Sequence, residues 1–279
     1  MKYVAIDGGL GNQMFQNAFA YCLKLRGYGD VRLVLTSKLS EHLSGFELER
    51  LFGIKYDKKM SYIYNCPINR ITRRIFCFIF KRFNGKHYNY QEEVFDESIG
   101  FYYGTWQVAK YYEEYKNELI KLYDFPRSRM SNATKECANM LGGGSNYVSV
   151  HIRRGDYLNS NFYKILGCCT SLDYYKSAIS YIEEKVDNPI FVFFSDDMNW
   201  VKENIKVKNA VYVDFNTGYD SWQDMYLMSQ CKHNITANSS FSWWGAWLNT
   251  NENKIVISPK YWIAGLKKDD VTPETWIRL

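Results

Sequence analysis

The segment from His151 to Asp156 contains the residue pattern with the most specific chemistry in this sequence. It follows an apolar run typical of a strand, and Arg153 and Arg154 stand side by side where that strand is expected to end. Two adjacent guanidinium groups are costly there unless an anion meets them, and arginine pairs with phosphate through two parallel hydrogen bonds. We therefore predict a site for a diphosphate leaving group, whose developing charge a fixed cation neutralises. Asp156 is expected to orient one arginine while the other faces the ligand.

Two consecutive acids, Asp196 and Asp197, end the next expected strand, after the apolar run FVFFS. Paired acids at a strand end can bind a metal ion, but the chain contains no Asp-x-Asp motif. A carboxylate there can instead accept two hydrogen bonds, from the N1–H and the amino group of guanine. Equally, one of the two acids can cap the helix expected over MNWVKENI. The sequence leaves the guanine contact and the helix cap open.

A third polar segment follows the expected strand NITA and begins a helix. Its members carry an amide, two hydroxyls and a ring, and they are Asn238, Ser239, Ser240 and Phe241. Hydroxyl groups and unpaired backbone N–H groups at a helix start favour an anion. The tryptophans that follow, at 243, 244 and 247, are expected to pack the helix rather than to stack on a sugar.

The N-terminal turn from Asp7 to Gln13 is rich in glycine and follows a short strand. The dinucleotide motif Gly-x-Gly-x-x-Gly fails, because Met14 stands at the third glycine position. Gly11 and its neighbours permit close approach to the backbone, and Asn12 and Gln13 place amide side chains at the helix start. These features suit an anion or a sugar hydroxyl, although a tight turn without a ligand explains them as well.

Alternating apolar strands and amphipathic helices predict an α/β fold with two Rossmann-like domains that face a cleft. A helix over 171–186 begins with a serine cap, and the glycine run at 141–145 is the best candidate for a linker. We therefore predict an N-terminal domain over 1–144 and a C-terminal domain over 145–279. Further strands are predicted at 2–6, 31–35, 146–154, 189–197, 209–215 and 254–259, and a helix at 110–123. Ligands are expected beyond the carboxyl ends of the strands.

The composition is that of a folded protein with two cores. The chain has 279 residues, of which 46% are hydrophobic and 18% aromatic, and this excludes a disordered protein. Its start has no signal-peptide pattern, and no apolar stretch reaches the ~20 residues of a membrane helix. The seven cysteines form neither a disulfide framework nor a zinc motif. We expect a cytoplasmic protein.

The excess of positive charge is concentrated in one segment, Arg70–Lys86, which alternates basic clusters with Ile and Phe. One interpretation is a buried element with solvated ends. The other is an interfacial element that places the enzyme at the inner face of the membrane, where its cations contact anionic lipid headgroups. Nucleic acid is not an expected partner, because no binding motif accompanies the charge.

Four separated motifs, GGLGNQMFQ, HIRRGDY, FSDD and NSSFSWWGAWL, resemble the α-1,2-fucosyltransferases of glycosyltransferase family 11 over nearly the whole chain. The resemblance implies a GT-B fold and inverting transfer of L-fucose from GDP-β-L-fucose to a terminal β-galactoside. It implies no cofactor and no metal. The N-terminal domain would bind the acceptor and the C-terminal domain GDP-fucose, for the synthesis of a surface polysaccharide or another glycan.

The resemblance also assigns roles to residues. Arg153 matches the arginine that contacts the β-phosphate, Arg154 supports it, and Asn12 lies near the fucose and the acceptor. The donor-binding set is His151 on the guanosine side, Asp156, Asp196 or Asp197 at guanine, and the segment Asn238, Ser239, Ser240 and Phe241 at the phosphates. Asp7, Gly11 and Gln13 belong to the acceptor-side turn.

The motifs do not identify a catalytic base, and Asp7 is the acid nearest to the turn. They also leave two other functions open. One is another GDP-sugar transferase that forms a different linkage, and the other is a non-catalytic glycan-binding protein.

Overall fold

The structure is a computed structural model that describes residues 1–37, 39, 45–65, 74, 78–85, 88–266 and 268–279. The described chain forms two compact units, Met1–Pro126 and Arg127–Leu279. The predicted boundary after residue 144 is therefore wrong. The helix Asn132–Leu141 belongs to the second unit, because it packs on the helix Trp222–Gln230 of that unit. The glycine run joins this helix to the first strand of the same unit.

The first unit contains one parallel sheet in the order β2-β1-β4-β3. Its strands are β1 (Lys2–Ile6), β2 (Val31–Leu35), β3 (Arg82–Asn84) and β4 (Phe101–Tyr103). Its helices are α1 (Leu10–Leu25), α2 (Glu47–Phe52), α3 (Lys58–Asn65) and α4 (Lys116–Leu122). The predicted strand–turn–helix–strand start is confirmed. The helix predicted over 110–123 is instead two short 3-10 turns followed by α4.

Aromatic side chains fill the core of the first unit. Every residue of β1 is buried, and the apolar face of α1 lies against aromatic rings. The Phe19 ring stacks on Trp106 with the ring centroids 4.0 Å apart and nearly parallel. Much of the high aromatic content therefore stabilises a core by burial.

The second unit contains a parallel sheet in the order β10-β9-β8-β5-β6-β7. Its strands are β5 (Tyr147–Ile152), β6 (Ile190–Ser195), β7 (Ala210–Val213), β8 (His233–Ile235), β9 (Val256–Ser258) and β10 (Ile277–Arg278). Its helices are α5 (Asn132–Leu141), α6 (Ser160–Tyr163), α7 (Leu172–Lys185), α8 (Met198–Asn204), α9 (Trp222–Gln230) and α10 (Ser240–Trp247). The predicted strands and α7 are confirmed to within a few residues, and Ser171 caps α7 by accepting a hydrogen bond from the Tyr174 N–H.

Chain order reverses at one place in each sheet. In the second unit the strands after β5 add on one side through β7 and then resume on the other side at β8. In the first unit β1 lies between β2 and β4 in the same way. Parallel sheets bind ligands beyond the carboxyl ends of the strands at such reversals. A ligand site is therefore expected in the loops after β5 and β8 and in those after β1 and β4.

Other features of the described residues bear on the sequence predictions. None of the described helices has the length and apolar character needed to cross a bilayer. The five described cysteines, at 22, 137, 168, 169 and 231, are free thiols. Within the described ranges, no cluster of three His, Cys, Asp or Glu side chains is arranged to hold a metal ion.

Candidate functional site

Arg153 follows β5 directly and is held by two carboxylates. Its Nε donates to Asp156 Oδ1 at 2.9 Å, and its Nη1 lies 3.0 Å from Asp196 Oδ2. The side chain is nevertheless 39% exposed. The predicted pairing with Asp156 is confirmed, and the oriented arginine is Arg153. Two acids thus fix a guanidinium group that solvent, or an anion, can still reach.

Glycine at 155 permits this arrangement. A side-chain Cβ at that position would lie 2.9 Å from Asp196 Oδ2, closer than such contacts allow. A larger residue would push the Asp196 carboxylate away from Arg153.

Arg154 is held more completely than its neighbour. Its Nε donates to Asp197 Oδ2 at 2.9 Å, and its guanidinium carbon lies 3.8 Å from the centre of the Trp200 ring. This cation–π contact and the ion pair leave the side chain only 22% exposed. Arg154 is therefore a structural support for the loop. Arg154, the arginine not bound by Asp156, is paired with Asp197 and still partly exposed, so its expected contact with the ligand stays a prediction.

The two acids after β6 are occupied by these arginines. Asp196 Oδ1 accepts the Arg154 N–H at 2.8 Å, while its Oδ2 meets Arg153. Asp197 caps α8 by accepting the Trp200 N–H, so the helix-cap alternative is confirmed for Asp197. The hydrogen bond from Arg154 holds the pKa of the Asp197 carboxyl below its ordinary value. Each carboxylate oxygen can accept more than one hydrogen bond, so two guanine donors would share these oxygens with the arginines, and the guanine contact stays a prediction for both acids.

His151 lies on β5 just before the arginines. Burial, assisted by the charge of Arg153, lowers the pKa of its imidazole to about 3, so the ring is neutral. Its Nδ1 is buried and has no hydrogen-bond partner among the described residues. Its ring lies 5.8 Å from the Phe241 ring, which connects the ends of β5 and β8. The guanosine contact stays a prediction for this residue.

The segment after β8 divides into a structural residue and an accessible turn. The Asn238 amide nitrogen donates to the carbonyls of Leu166 and Trp262, both at 3.0 Å, and the side chain is buried. The Asn238 amide nitrogen therefore holds the loop in place, while its buried Oδ1 has no hydrogen-bond partner among the described residues, and the ligand contact stays a prediction. Ser239 caps α10 through a hydrogen bond from the Phe241 N–H. The start of α10 is partly exposed.

The three tryptophans of α10 are buried and their rings contact one another, Trp243 and Trp247 by stacking and the other two pairs edge to face, so the prediction that they pack the helix is confirmed.

The ends of β5 and β8 bring groups that can bind an anion to one edge of the sheet. The two strands are direct neighbours, with Val150 opposite Ile235. Arg153 contributes a full charge after one strand, and the N-terminus of α10 contributes backbone N–H groups and a positive dipole end after the other. The half-buried side chains of Ser240 and Phe241 lie in the first turn of α10. This combination suits a diphosphate.

Sequence reasoning missed one acid near this edge of the sheet, Asp224. Burial raises the pKa of its carboxyl to about 7, even though Asn216 Nδ2 donates to its Oδ1 at 2.9 Å. Asn216 follows β7, and Asp224 lies in the first turn of α9, so both stand at the carboxyl end of the sheet. Its Oδ2 has no hydrogen-bond partner among the described residues. The signal was present in the sequence, since Asp224 is the one charged residue in the otherwise neutral stretch WQDMYLMSQ.

In the N-terminal turn, Gln13 has a structural role. Its side chain is fully buried, and its amide nitrogen donates to the carbonyls of Gly8 and Gly45, both at 2.8 Å. Its oxygen accepts the Glu47 N–H, which ties the turn to α2. Gly11 is buried within α1. These two residues therefore shape the turn, and the predicted acceptor contact does not fall on the Gln13 side chain.

Asp7 and Asn12 are the polar side chains of this turn that remain half exposed. The Asp7 carboxylate accepts a hydrogen bond from Gln16 Nε2 at 2.8 Å. Asn12 Oδ1 accepts one from Gln107 Nε2, also at 2.8 Å. Gln107 follows β4, so the pair spans the reversal between β1 and β4. This unit thus presents a neutral and acidic polar site, whereas the site of the other unit contains guanidinium groups.

Two cavities lie away from the candidate residues. They have volumes of about 550 and 580 Å³ and open in the first unit, one lined by Asp30 and the first residues of β2 and the other by Lys2 and Gly100. Both are near the amino ends of the strands and contain none of the candidate residues. Because parallel sheets bind ligands at the carboxyl ends, we assign the site by its charged groups and not by cavity size.

Comparisons with known proteins match the whole chain to one family. The family model described as "Glycosyl transferase family 11" covers residues 4–279. The O-antigen biosynthesis glycosyltransferase WbnK of Escherichia coli is 34% identical over 308 residues, which cover 99% of this chain and 100% of that protein. An α-1,2-colitosyltransferase of Escherichia coli is 36% identical over 290 residues, covering 98% of this chain and 97% of that protein.

Among solved structures, the fucosyltransferase NodZ from Bradyrhizobium is similar with a TM-score of 0.52 at 14% identity. The match covers 87% of this chain and 90% of that one. This likeness concerns the fold alone, and the predicted GT-B fold class is confirmed.

Proposed function

The chain belongs to glycosyltransferase family 11, and we propose that it transfers L-fucose, with inversion, from GDP-β-L-fucose to the 2-hydroxyl of a terminal β-galactoside. The product would be part of a surface polysaccharide or another glycan. The α-1,2 linkage is supported by the relative named as an α-1,2-colitosyltransferase. The family motifs in this sequence support fucose as the sugar.

One observation carries the donor part of the proposal. Arg153 is bound by Asp156 and Asp196 and still 39% exposed, at the strand reversal and beside the start of α10. When the bond between the sugar and the diphosphate breaks, negative charge develops on the departing oxygen. A cation already held in place stabilises that charge without reorganising, which lowers the barrier. No metal or cofactor enters the proposal, and we expect full activity in EDTA.

We assign the guanine contact to Asp224. Guanine offers two adjacent donors, N1–H and the amino group, and a carboxylate matches them with two oxygens. Asp224 has an oxygen without a partner among the described residues, whereas Asp196 and Asp197 are engaged by arginines. The buried imidazole of His151 lies beside Phe241 and is proposed to contact the nucleoside.

The N-terminal unit is proposed to bind the acceptor. Its half-exposed Asp7 and Asn12 can accept from and donate to sugar hydroxyls, and they carry no positive charge that would favour a phosphate.

The experiment that tests the proposal is GDP release from GDP-fucose in EDTA, with and without lactose or a β-galactosyl-N-acetylhexosamine, followed by linkage analysis of the product. Acceptor-dependent release with an α-1,2 product is the expected result. Release that ignores the acceptor would mean hydrolysis and a different acceptor. Absence of both release and GDP-fucose binding would refute the proposal.

Colitose is the second candidate sugar, because the relative named as a colitosyltransferase is 36% identical over 98% of the chain. Colitose lacks the 3-hydroxyl of fucose. A site built to hydrogen-bond that hydroxyl rejects the analogue that lacks it by a factor on the order of 10⁴. The ratio of kcat/KM for GDP-fucose and GDP-colitose decides between them, and a ratio in favour of GDP-colitose would replace fucose in the proposal.

Peripheral binding to the inner face of the membrane is a further part of the proposal. Of the segment Arg70–Lys86, residues 70–73, 75–77 and 86 lie outside the described residues. Of its described members, Phe78 is 87% exposed and Ile79 66%, and Arg74 and Lys81 are exposed as well. Apolar side chains flanked by cations match a bilayer with anionic headgroups.

We expect the protein to float with vesicles that contain phosphatidylglycerol and not with phosphatidylcholine alone. The double variant Phe78→Ser and Ile79→Ser should weaken this binding on the order of tenfold or more, since each apolar side chain contributes about 1.5 kcal/mol or more when buried. Tyr219→Ser is the matched control, because Tyr219 is 63% exposed in the second unit. Flotation independent of anionic lipid, or unchanged in the double variant, would contradict the proposal.

A further inference from the structure

Asp7 stands where a buried strand emerges at the ligand-binding edge of the first unit. All five residues of β1 before it are buried, whereas Asp7 itself is half exposed. The chain then turns through Gly8, whose φ of +75° is strained for any other residue, and α1 begins at Leu10. Asp7 is therefore fixed by the strand on one side and by the turn on the other.

Gln16 clamps Asp7 on two sides. The Asp7 N–H donates to Gln16 Oε1 at 2.9 Å, and Gln16 Nε2 donates back to Asp7 Oδ1 at 2.8 Å. Gln16 is itself buried, and its Nε2 also lies 3.3 Å from the Gly104 carbonyl at the end of β4. The clamp fixes Oδ1, while Oδ2 has no hydrogen-bond partner among the described residues.

Asn12 places a donor beside Gly8, the residue that follows Asp7. It lies one turn before Gln16 on the same face of α1, and Gln107 Nε2 donates to its Oδ1, so its Nδ2 is the group left to donate. A Cβ on Gly8 would lie 2.7 Å from Asn12 Nδ2. The amide nitrogen therefore lies against the residue that follows Asp7. A sugar hydroxyl that both receives a hydrogen bond and gives up a proton needs such a pair.

The charge partners of the candidate acids separate Asp7 from the others. Asp156 and Asp196 are paired with Arg153, and Asp197 is paired with Arg154. In each of these acids an arginine occupies an oxygen that would otherwise meet the acceptor hydroxyl. Asp7 has no ion pair among the described residues, and its one side-chain partner is a neutral amide.

On the basis of the proposed function, we propose that Asp7 is the general base of the transfer and that Asn12 Nδ2 positions the acceptor hydroxyl. The acceptor oxygen forms a bond to the anomeric carbon of the sugar, and the bond from that carbon to the diphosphate oxygen breaks. The electron pair of the broken bond stays on GDP. The hydroxyl proton passes to Asp7 Oδ2 and from there to solvent.

The test uses Asp7→Asn in the full chain. The asparagine oxygen can still accept from Gln16, so the clamp persists while the base is lost. We expect kcat for acceptor-dependent transfer to fall by about 10²–10⁴, with GDP affinity unchanged, because general bases contribute about that factor. The acid limb of the pH–rate profile, where rate rises as the base ionises, should disappear. Asp30→Asn is the control, since Asp30 is an exposed acid of the same unit that pairs with Arg32.

Chemical rescue gives a second readout. Asp7→Ala should regain at least about tenfold in rate when formate is added, because a small carboxylate can take the place of the missing base. Formate should not restore an Arg153→Ala variant. A kcat of the Asp7→Asn variant within threefold of that of the unaltered enzyme would overturn the assignment of Asp7 while leaving the proposed function intact. An acid limb of the pH–rate profile that persists in this variant would do the same. An unaltered protein that does not transfer fucose at all would refute the proposed function first.

Discussion

Replacing Arg153 by alanine is expected to lower turnover by about three orders of magnitude, with a much smaller effect on the affinity for GDP-fucose. The reason is that the guanidinium acts on charge that appears only as the diphosphate departs, so its loss raises the barrier more than it weakens ground-state binding. Single fixed donors or arginines in comparable roles contribute about 10²–10⁵ in rate. Arg153→Lys should recover part of the loss, since it keeps the charge but not the planar fork that meets two carboxylates.

Arg32→Ala is the matched control for this variant. Arg32 also pairs with two acids, Asp30 at 2.8 Å and Asp57 at 3.1 Å, and its side chain is 46% exposed, but it lies on β2 of the other unit. GDP release should stay within about twofold of the unaltered enzyme, as is usual for exposed ion pairs. Equal losses in both variants would point to general destabilisation. Glycan binding that survives Arg153→Ala in a protein without measurable turnover would favour the non-catalytic binder.

Asp224→Asn is expected to weaken GDP binding by about 10²–10³. The asparagine amide offers one acceptor and one donor where guanine presents two donors. One guanine N–H would therefore face the N–H of the asparagine side chain and form no hydrogen bond. Binding should also release a proton from the unaltered enzyme near pH 6–7. Burial raises the pKa of the Asp224 carboxyl to about 7 in the unliganded protein, and two guanine donors favour the ionised carboxylate. Calorimetry in buffers of different ionisation enthalpy measures this release, and the variant should show none.

The same carboxyl makes the stability of the unliganded protein depend on pH. Its pKa is about 7 in the folded protein against an ordinary value of 3.8, so the folded state holds a proton that the unfolded chain has lost between those values. The free energy of unfolding should therefore fall as pH rises from about 4 to about 7. The stabilisation that comes from holding the Asp224 proton in the folded state is fully present only below about pH 4. Asp224→Asn should remove this slope, whereas Asp220→Asn, at an exposed acid just before α9, should keep it. An unchanged slope in Asp224→Asn would contradict the assignment.

Much of the local structure follows from the sequence, because it depends on neighbouring residues. The apolar runs before Arg153 and Asp196 are strands buried on both faces, and the serine before Leu172 caps its helix. The motifs at the ends of β5 and β8 were correctly placed at one edge of a parallel sheet. The pairing of an arginine with Asp156 also follows from their short separation in the chain.

The tertiary structure decided what depends on residues far apart in the chain. The boundary falls at Pro126 and not at the glycine run, because α5 packs on α9. Gln13 and Asn238 carry amides suited to a ligand, yet distant carbonyls occupy their amide nitrogens. The raised pKa of Asp224 and the oxygen of Asp7 left without a described partner likewise come from burial and from partners in other elements. A sequence pattern specifies which groups can do chemistry, but which of them are already engaged is fixed only when distant segments pack together.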